Sequence, residues 1–470
     1  MTTLKRVLTL RDLVLFNLVA VISLRWLATS AKAGPAALVL WLLAALLFFV
    51  PIGLAVVELS GRFPEEGGIY AWTKRALGEK HGFVCGWCYW VSNVLYYPNL
   101  LMSTAVIATF AFGRGDTALA SSWAYVLPVT LGALWIAVAL NIVGQSTGRW
   151  LQNVGGIGTV VPGTLLIVFA AYAIATGVPS ANPMPAGAFL PDLTDLGSLN
   201  LWASIAFAFG GLELAATMAA EVERPEKTLP RSVFISAPII AVVYILGTGA
   251  LLWLMPVGEL NIVSGVLQGI SRGAREISPA LGWLVSFAAL SVAIGNLGAV
   301  GAWVSGPARV AFVFGLDRYF PPAFGKVHPR WGTPYVAILV MASLATIALL
   351  LSVLGRGTTV ETVYLIMLDL QLLVYFIPFI YLFVSLIVHR RRDQIAGAHR
   401  GIGSAVLIGG CGAFVTMFAM VIATIPPSGT AQPVLFFVKV VGGAALFIGV
   451  GGLLYWKAHR SQPNRHPAIH

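Results

Sequence analysis

The sequence predicts an all-α membrane protein of twelve transmembrane helices with no separate soluble domain. Three observations carry that reading. Hydrophobic residues fill 58% of the 470 positions and charged residues only 10%, where a soluble chain carries about 25%. Apolar stretches close to the ~20 residues needed to cross a bilayer recur along the whole length. Lysine and arginine gather in every second connection between those stretches, as positive-inside topology requires. The net charge of +11 therefore belongs to loop topology, not to a nucleic-acid-binding surface.

The predicted spans are 12–33, 35–59, 82–112, 123–144, 154–177, 199–221, 232–255, 279–315, 334–354, 360–388, 402–425 and 433–456. Without a closed barrel, only helices satisfy their own backbone in lipid. The start imitates a secretion signal, with Lys5, Arg6 and Arg11, an apolar run and then Ala31-Lys32-Ala33. Arg25 interrupts that run and eleven more spans follow, so it is read as a retained first helix. With the N-terminus in the cytoplasm, inner segments hold 21 of the 29 lysines and arginines. Outer segments hold five: Lys32, Arg114, Arg272, Arg275 and Arg356. Both termini are therefore expected in the cytoplasm of a multi-pass cell-membrane protein. All seven histidines fall in inner segments, which leaves none as a mid-membrane proton relay. A Pro-rich outer loop at 178–198 separates the first five spans from the next seven. Cys85 and Cys88 form a CxxC at the start of an apolar helix, where they are read as small packing residues.

Charge inside a span is costly, about 2.5–3.5 kcal/mol on insertion scales, so it marks a cavity or a partner. The spans contain Arg25, Glu58, Glu213, Arg309 and Asp369. Arg25 and Glu213 lie about halfway across the first and sixth spans. Gly210-Gly211 weakens the sixth just before Glu213, since glycine costs about 1 kcal/mol relative to alanine in a helix. A broken helix exposes backbone amides and carbonyls that can hold a carboxylate and an ammonium. The bland alternatives are a structural Arg25–Glu213 ion pair and a double glycine that merely permits close packing. Glu58 and Arg309 sit nearer the inner ends, where pairing or gating suits them better than ligand contact. Asp369 is near mid-membrane, either as a proton site or as a structural partner. On the third span, Tyr89, Asn93 and Tyr97 form a stripe at i, i+4 spacing, which favours a cavity wall.

Three stretches in order resemble the amino acid–polyamine–organocation superfamily, and the likeness covers nearly the whole chain. They are ELSGRFPEEGGIYAWTKRALG at 58–78, FGGLE at 209–213 followed by AEVERPEKTLPRSV at 220–233, and GPARVAFVFGLDRYFPPAFGKVHPRWGTP at 306–334. The layout around SLR…AGP looks most like the glutamate/GABA exchanger branch. The resemblance implies a LeuT-like five-plus-five inverted repeat, with 12–177 as first repeat, 199–388 as second, two peripheral helices at 402–456, and broken first and sixth helices. It implies substrate between those breaks. Ser23, Leu24 and Arg25 then fall at the carboxylate position, and Gly210 and Gly211 at the amino-group position. Phe207 falls at an aromatic gate, and Tyr89 and Trp303 along the pathway. Two departures stand out. The family's glycine-rich break in the first helix reads Ser-Leu-Arg here, and Thr159 stands where some proton-coupled members carry lysine.

The function expected is alternating-access transport of amino acids, by exchange or proton symport, with Glu213 and Asp369 as proton-coupling candidates. A polyamine or other organic-cation carrier is the alternative. An enzyme would need a polar cluster in a large loop or a metal set, and a channel would not saturate. No cofactor, metal or nucleic-acid partner is expected; the partners are a small amino acid or amine and the bilayer.

Overall fold

A computed structural model describes residues 6–111, 115, 117–191, 196–353, 359–396, 401–426 and 433–460. Lys5, Arg114, Arg356, Arg400 and Arg465, which entered the charge count, lie outside the described residues. The described chain is helical, with one isolated parallel bridge between Leu8 and Val222.

The helices are α1 (Leu10–Val21), α2 (Arg25–Ala31), α3 (Ala36–Arg62), α4 (Ile69–Leu77), α5 (Glu79–Val91), α6 (Asn93–Ala108), α7 (Trp123–Ile142) and α8 (Gln145–Ala175). Then come α9 (Leu196–Ala208), α10 (Pro225–Leu254), α11 (Gly265–Ile277), α12 (Trp283–Leu316), α13 (Tyr335–Val353), α14 (Val360–Ile395), α15 (Ile402–Ile422) and α16 (Pro433–Arg460). Nine helices among the described residues are long and apolar enough to cross a bilayer, and α1 with α2, bent by 42°, can make a tenth. Two further expected spans are divided. The stretch 82–112 is α5 and α6, separated at Ser92, and 199–221 is α9 followed by a 3-10 segment, Leu214–Glu221. Leu46, Ile136, Val168, Leu351 and Leu407 are exposed on the outer helix faces, which is where lipid tails replace water.

Boundaries differ from expectation where polar residues continue a helix. Helix α8 begins at Gln145 instead of 154, and α14 runs through His389-Arg390-Arg391-Arg392 to Ile395. Arginine and glutamine are good helix formers, so the backbone does not stop where the lipid does. Helices α8 and α12 cross on small residues. A Cβ on Gly155 would lie 2.7 Å from Gly298 Cα, and one on Gly158 would lie 2.8 Å from the Ser291 carbonyl oxygen. Without hydrophobic driving force in lipid, such close backbone approach is what holds helices together.

One end of the bundle is strapped shut. Val7 and Leu8 donate their N–H groups to the Glu221 carbonyl at 2.9 and 3.0 Å, and Glu223 N–H returns to Leu8 O at 3.0 Å. The turn after α3 lies against the same 3-10 segment, with Gly67 N–H donating to Thr217 O at 3.0 Å. Gly68 has φ +46°, and a Cβ there would stand 2.9 Å from Ala216 C and Thr217 N, so the PEEGG turn needs glycine to reach the neighbouring backbone. At the other end, a cavity of about 950 Å³ opens between α6, α7, α11, α12 and α14.

Candidate functional site

Two chain interruptions meet at the centre. Residues 22–24 separate α1 from α2, and residues 209–213 separate α9 from the 3-10 segment. Gly211 makes the second turn possible: its φ is +126°, and a Cβ would sit 3.0 Å from Val21 Cγ2. That region of backbone space is open to glycine and closed to most other residues. Tyr244, on α10, binds both interruptions. Its hydroxyl lies 2.6 Å from Val21 O and 3.1 Å from Ala208 O, and it accepts from Ser23 N–H at 3.2 Å.

Between the interruptions is a space of about 20 Å³, lined by Ser23, Arg25, Trp26, Phe207, Gly210 and Trp303, with Tyr96, Gln371, Tyr375 and the backbone of both breaks completing the wall. That is room for about one water. Trp303 donates its Nε1–H to Ala20 O at 3.0 Å, and its ring lies 5.5 Å from that of Tyr375. Phe207 meets Trp26 edge-on at 5.6 Å and Tyr375 at 5.5 Å.

Glu213 is buried, and three donors converge on its carboxylate: Tyr375 at 2.7 Å, Tyr89 at 3.2 Å and Gly211 N–H at 3.1 Å. Arg25 does not pair with it. The Arg25 guanidinium donates through Nη1 to Asn99 Oδ1 and, at 3.5 Å, to the Tyr364 hydroxyl. It stacks 4.6 Å from the Trp26 ring, and its Nε has no partner. No acidic side chain forms an ion pair with it among the described residues.

The sequence-predicted residues are thus only partly gathered. Ser23, Arg25, Phe207, Gly210 and Trp303 line the central space, while Gly211, Glu213 and Tyr89 form the layer behind it. Leu24 turns away, toward Gly163. Asn93 donates its amide N–H to Tyr89 O at 2.9 Å, and Tyr97 donates to Trp303 O at 2.8 Å. Asp369 is buried away from this space with no hydrogen bond or ion pair among the described residues. Sequence reasoning missed Tyr375, Tyr364, Asn99, Trp26, Tyr96 and Gln371. Tyr364, Gln371 and Tyr375 recur on one face of α14, a polar stripe readable at helical spacing.

The strapped end has its own charge cluster. Arg309 forks onto Glu221, with Nε and Nη2 both 3.0 Å from Oε1, and its Nη1 donates to Ser305 O at 2.8 Å. Both side chains are nearly inaccessible, at 3% and 1%. Glu66 joins from the PEEGG turn. Its Oε2 accepts from Ala220 N–H at 2.9 Å, and its buried Oε1 has no partner. Burial, then repulsion from Glu221, push Glu66 from an ordinary 4.5 up to about 8, against the opposing pull of Arg309. Glu58, an in-span acid placed nearer the inner end, is held by Arg390 and Arg62. Among the described residues no three His, Cys, Asp or Glu side chains converge as metal ligands.

Residues 8–446 match the family model described as amino acid permease. An uncharacterized transporter of Legionella pneumophila is 30% identical over 97% of this chain and 98% of its own length. A glutamate/γ-aminobutyrate antiporter of Lactococcus lactis is 24% identical over 83% of this chain and 78% of its own. A probable agmatine/putrescine antiporter of the same species is 23% identical over 94% and 93%.

Proposed function

The chain belongs to the amino acid permease family and is a multi-pass membrane transporter, not an enzyme; from that premise we propose how it works. It moves amino acids across the cytoplasmic membrane by alternating access, as an exchanger or a proton symporter. Substrate occupies the space between the interruptions at 22–24 and 209–213. The observation that carries this reading is that meeting of two broken helices around one small polar space, which is where discontinuous helices place ligand in carriers.

The rest of the architecture follows as part of the proposal. Helix α1 with α2, α5 with α6, and α9 with the 3-10 segment Leu214–Glu221 each count as one span, which brings the total to twelve. Residues 12–177 and 199–388 are the two inverted repeats, and 402–456 the peripheral pair. The strapped end, rich in lysine and arginine, faces the cytoplasm with both termini, and the 950 Å³ cavity faces outward. Glu213 and Asp369 are the proton-coupling candidates. A polyamine is the second reading, supported by the buried carboxylate of Glu213 and by the likeness to an agmatine/putrescine antiporter.

Reconstituted uptake tests it. Purified protein in liposomes should take up at least one labelled amino acid or amine, saturate, and show counterflow, with a pH gradient separating symport from exchange. Flux that neither saturates nor shows counterflow would overturn the carrier reading.

A further inference from the structure

Helix α3 is not regular along its length. Over Ala45–Phe49 its hydrogen bonds run to the fifth residue instead of the fourth, ending with Val50 N–H donating to Ala45 O. The cause is Pro51. It has no N–H to give to Leu47 O, the carbonyl four residues back, and its ring crowds that carbonyl. One extra residue in the turn relieves the crowding, and Leu47 O takes a hydrogen bond from the Cys411 thiol on α15 at 3.4 Å. The widened turn bulges outward: Leu46 and Leu47 are 64% and 39% exposed, on a face that lipid covers. Single wide turns of this kind concentrate at functional sites.

The wide turn divides α3 into halves with different attachments. The half before it is fixed to elements beside the interruptions. Trp41 shares its Nε1–H between Ser30 Oγ on α2, at 3.0 Å, and Thr248 Oγ1 on α10, at 2.9 Å, and its ring stacks on Tyr244 with centroids 4.5 Å apart. The half after it is fixed to the strapped end. Glu58 pairs with Arg390 and Arg62 with Asp393, both on the extension of α14. The chain then enters the PEEGG turn, whose Gly67 N–H holds Thr217 O. Along α10 this half makes only ordinary contact: a Cβ on Gly53 would lie 3.7 Å from Val233 Cγ1, and one on Gly61 would lie 3.4 Å from Pro230 Cγ. The turn itself touches the centre. Phe49 lies flat on Phe209, the first residue of the second interruption, with ring centroids 4.3 Å apart. Phe48 meets Phe376 and Phe379 of α14 at 5.6 and 5.7 Å.

We propose that this wide turn, made obligatory by Pro51, is a hinge: the half of α3 after it, with the PEEGG turn, swings there when the strapped end opens, while the half before it stays with the interruptions. The proposal rests on the reading that the protein works by alternating access. A regular helix carries motion rigidly from end to end, whereas one lacking a bond in its ladder bends at that place. Phe49 makes the hinge responsive to the central space, because a ligand that shifts the backbone at 209–213 shifts the ring stacked on Phe209. A few residues that absorb the angular change are what a domain-closing hinge requires.

The test is a pair of substitutions in the purified full-length protein. Pro51→Ala supplies the missing N–H and removes the ring, which lets α3 straighten. Pro51→Gly supplies the same N–H but leaves a pliant residue. Both are made in a protein carrying Cys85→Ala, Cys88→Ala, Cys411→Ser and Thr217→Cys, the serine hydroxyl keeping a donor for Leu47 O. Opening of the strapped end is read as the rate at which a maleimide labels the cysteine at 217, a buried position, so no substrate is needed. Pro51→Ala should label at least about tenfold more slowly than the parent, within the roughly hundredfold that a proline's penalty in a straight helix permits. It should unfold at an equal or higher temperature, and Pro51→Gly should label close to the parent's rate. Unchanged or faster labelling of Pro51→Ala overturns the proposal. Equal slowing in both variants overturns it too, since the effect then lies in the lost ring and not in pliancy. Liposome uptake of labelled glutamate, serine and putrescine separates the hinge from the carrier reading. Parent flux that neither saturates nor shows counterflow overturns both together, whereas a transporting parent matched in turnover by Pro51→Ala overturns the hinge alone.

Discussion

Removing Arg309 should loosen the strapped end more than any other single change there. Its guanidinium acts on both Glu221 and Glu66, and it makes two 3.0 Å bonds and one of 3.3 Å to Glu221. Breaking a buried pair from one side costs about 3–5 kcal/mol, because the partner stays charged and unpaired. At about 1.4 kcal/mol per factor of ten, Arg309→Met should shift the balance between strapped and open arrangements by roughly two to four powers of ten. Removing both charges leaves no orphan ion, so Arg309→Met with Glu221→Met should recover most of the loss, with a coupling toward the top of the roughly 0.5–3 kcal/mol seen for contacting residues. Two measurements report it: thermal unfolding in detergent, and alkylation of a cysteine placed at Thr217, which is buried under the PEEGG turn, in a background without Cys85, Cys88 and Cys411. The single variant should unfold earlier and label faster, and the double variant should approach the parent. With Glu221→Met alone completing the cycle, additive losses, or labelling equal in the parent, both single variants and the double, would show that the pair does not hold this end closed.

Three further outcomes follow from the same geometry. Glu66 sits at about 8 when the strap is closed, against an ordinary 4.5; the closed form therefore holds a proton that the opened turn releases, and closure weakens as pH rises from 4.5 to 8. Glu66→Gln should remove the pH dependence of Thr217→Cys labelling over that window once each rate is divided by that of the same thiol in unfolded protein, which corrects for thiolate formation, and a parent whose corrected rate is pH-independent would contradict the assignment. Gly68→Ala forces a Cβ to 2.9 Å from two backbone atoms that cannot swing aside, so it should cost about 1–3 kcal/mol of overpacking, visible as a lower unfolding temperature; an unchanged one counts against the contact. Phe207→Ala, which removes the ring packed edge-on against Trp26 and Tyr375, should slow transport more than it weakens binding, as a gating residue does, and an unchanged rate takes Phe207 out of the mechanism.

What was legible in the sequence was whatever lipid makes expensive. Arg25, Glu213 and the Gly210-Gly211 pair stand out along one dimension because each breaks a rule of apolar helices, and the chain does interrupt its helices beside them. The alternative of an Arg25–Glu213 ion pair fails for a reason no spacing reveals: Glu213 is satisfied by Tyr89 and Tyr375, 124 and 162 positions away. Asn99 escaped notice because asparagine is tolerated at many places in a bundle and only its partners distinguish it, whereas Tyr364 and Tyr375 could have been found from the stripe they form with Gln371 at helical spacing. The division at Ser92 was equally silent, since both halves are apolar and aromatic. Arg309 was read as lying nearer the inner end and suited to pairing or gating; its partner Glu221 lies on a segment predicted only as the tail of a span.

Tyr244 has a single proton to give. Val21 and Ala208 offer it two acceptors, one beside each interruption, at 2.6 and 3.1 Å. A phenol cannot fully satisfy both, so at any moment one carbonyl holds the proton's bond and the other lacks a donor. Whatever donor arrives at one carbonyl, whether water or a substrate's ammonium, releases the phenol to serve the other. The two breaks therefore negotiate their hydrogen bonds through one atom, and a change of occupancy at one is felt at the other without any side chain having to travel between them.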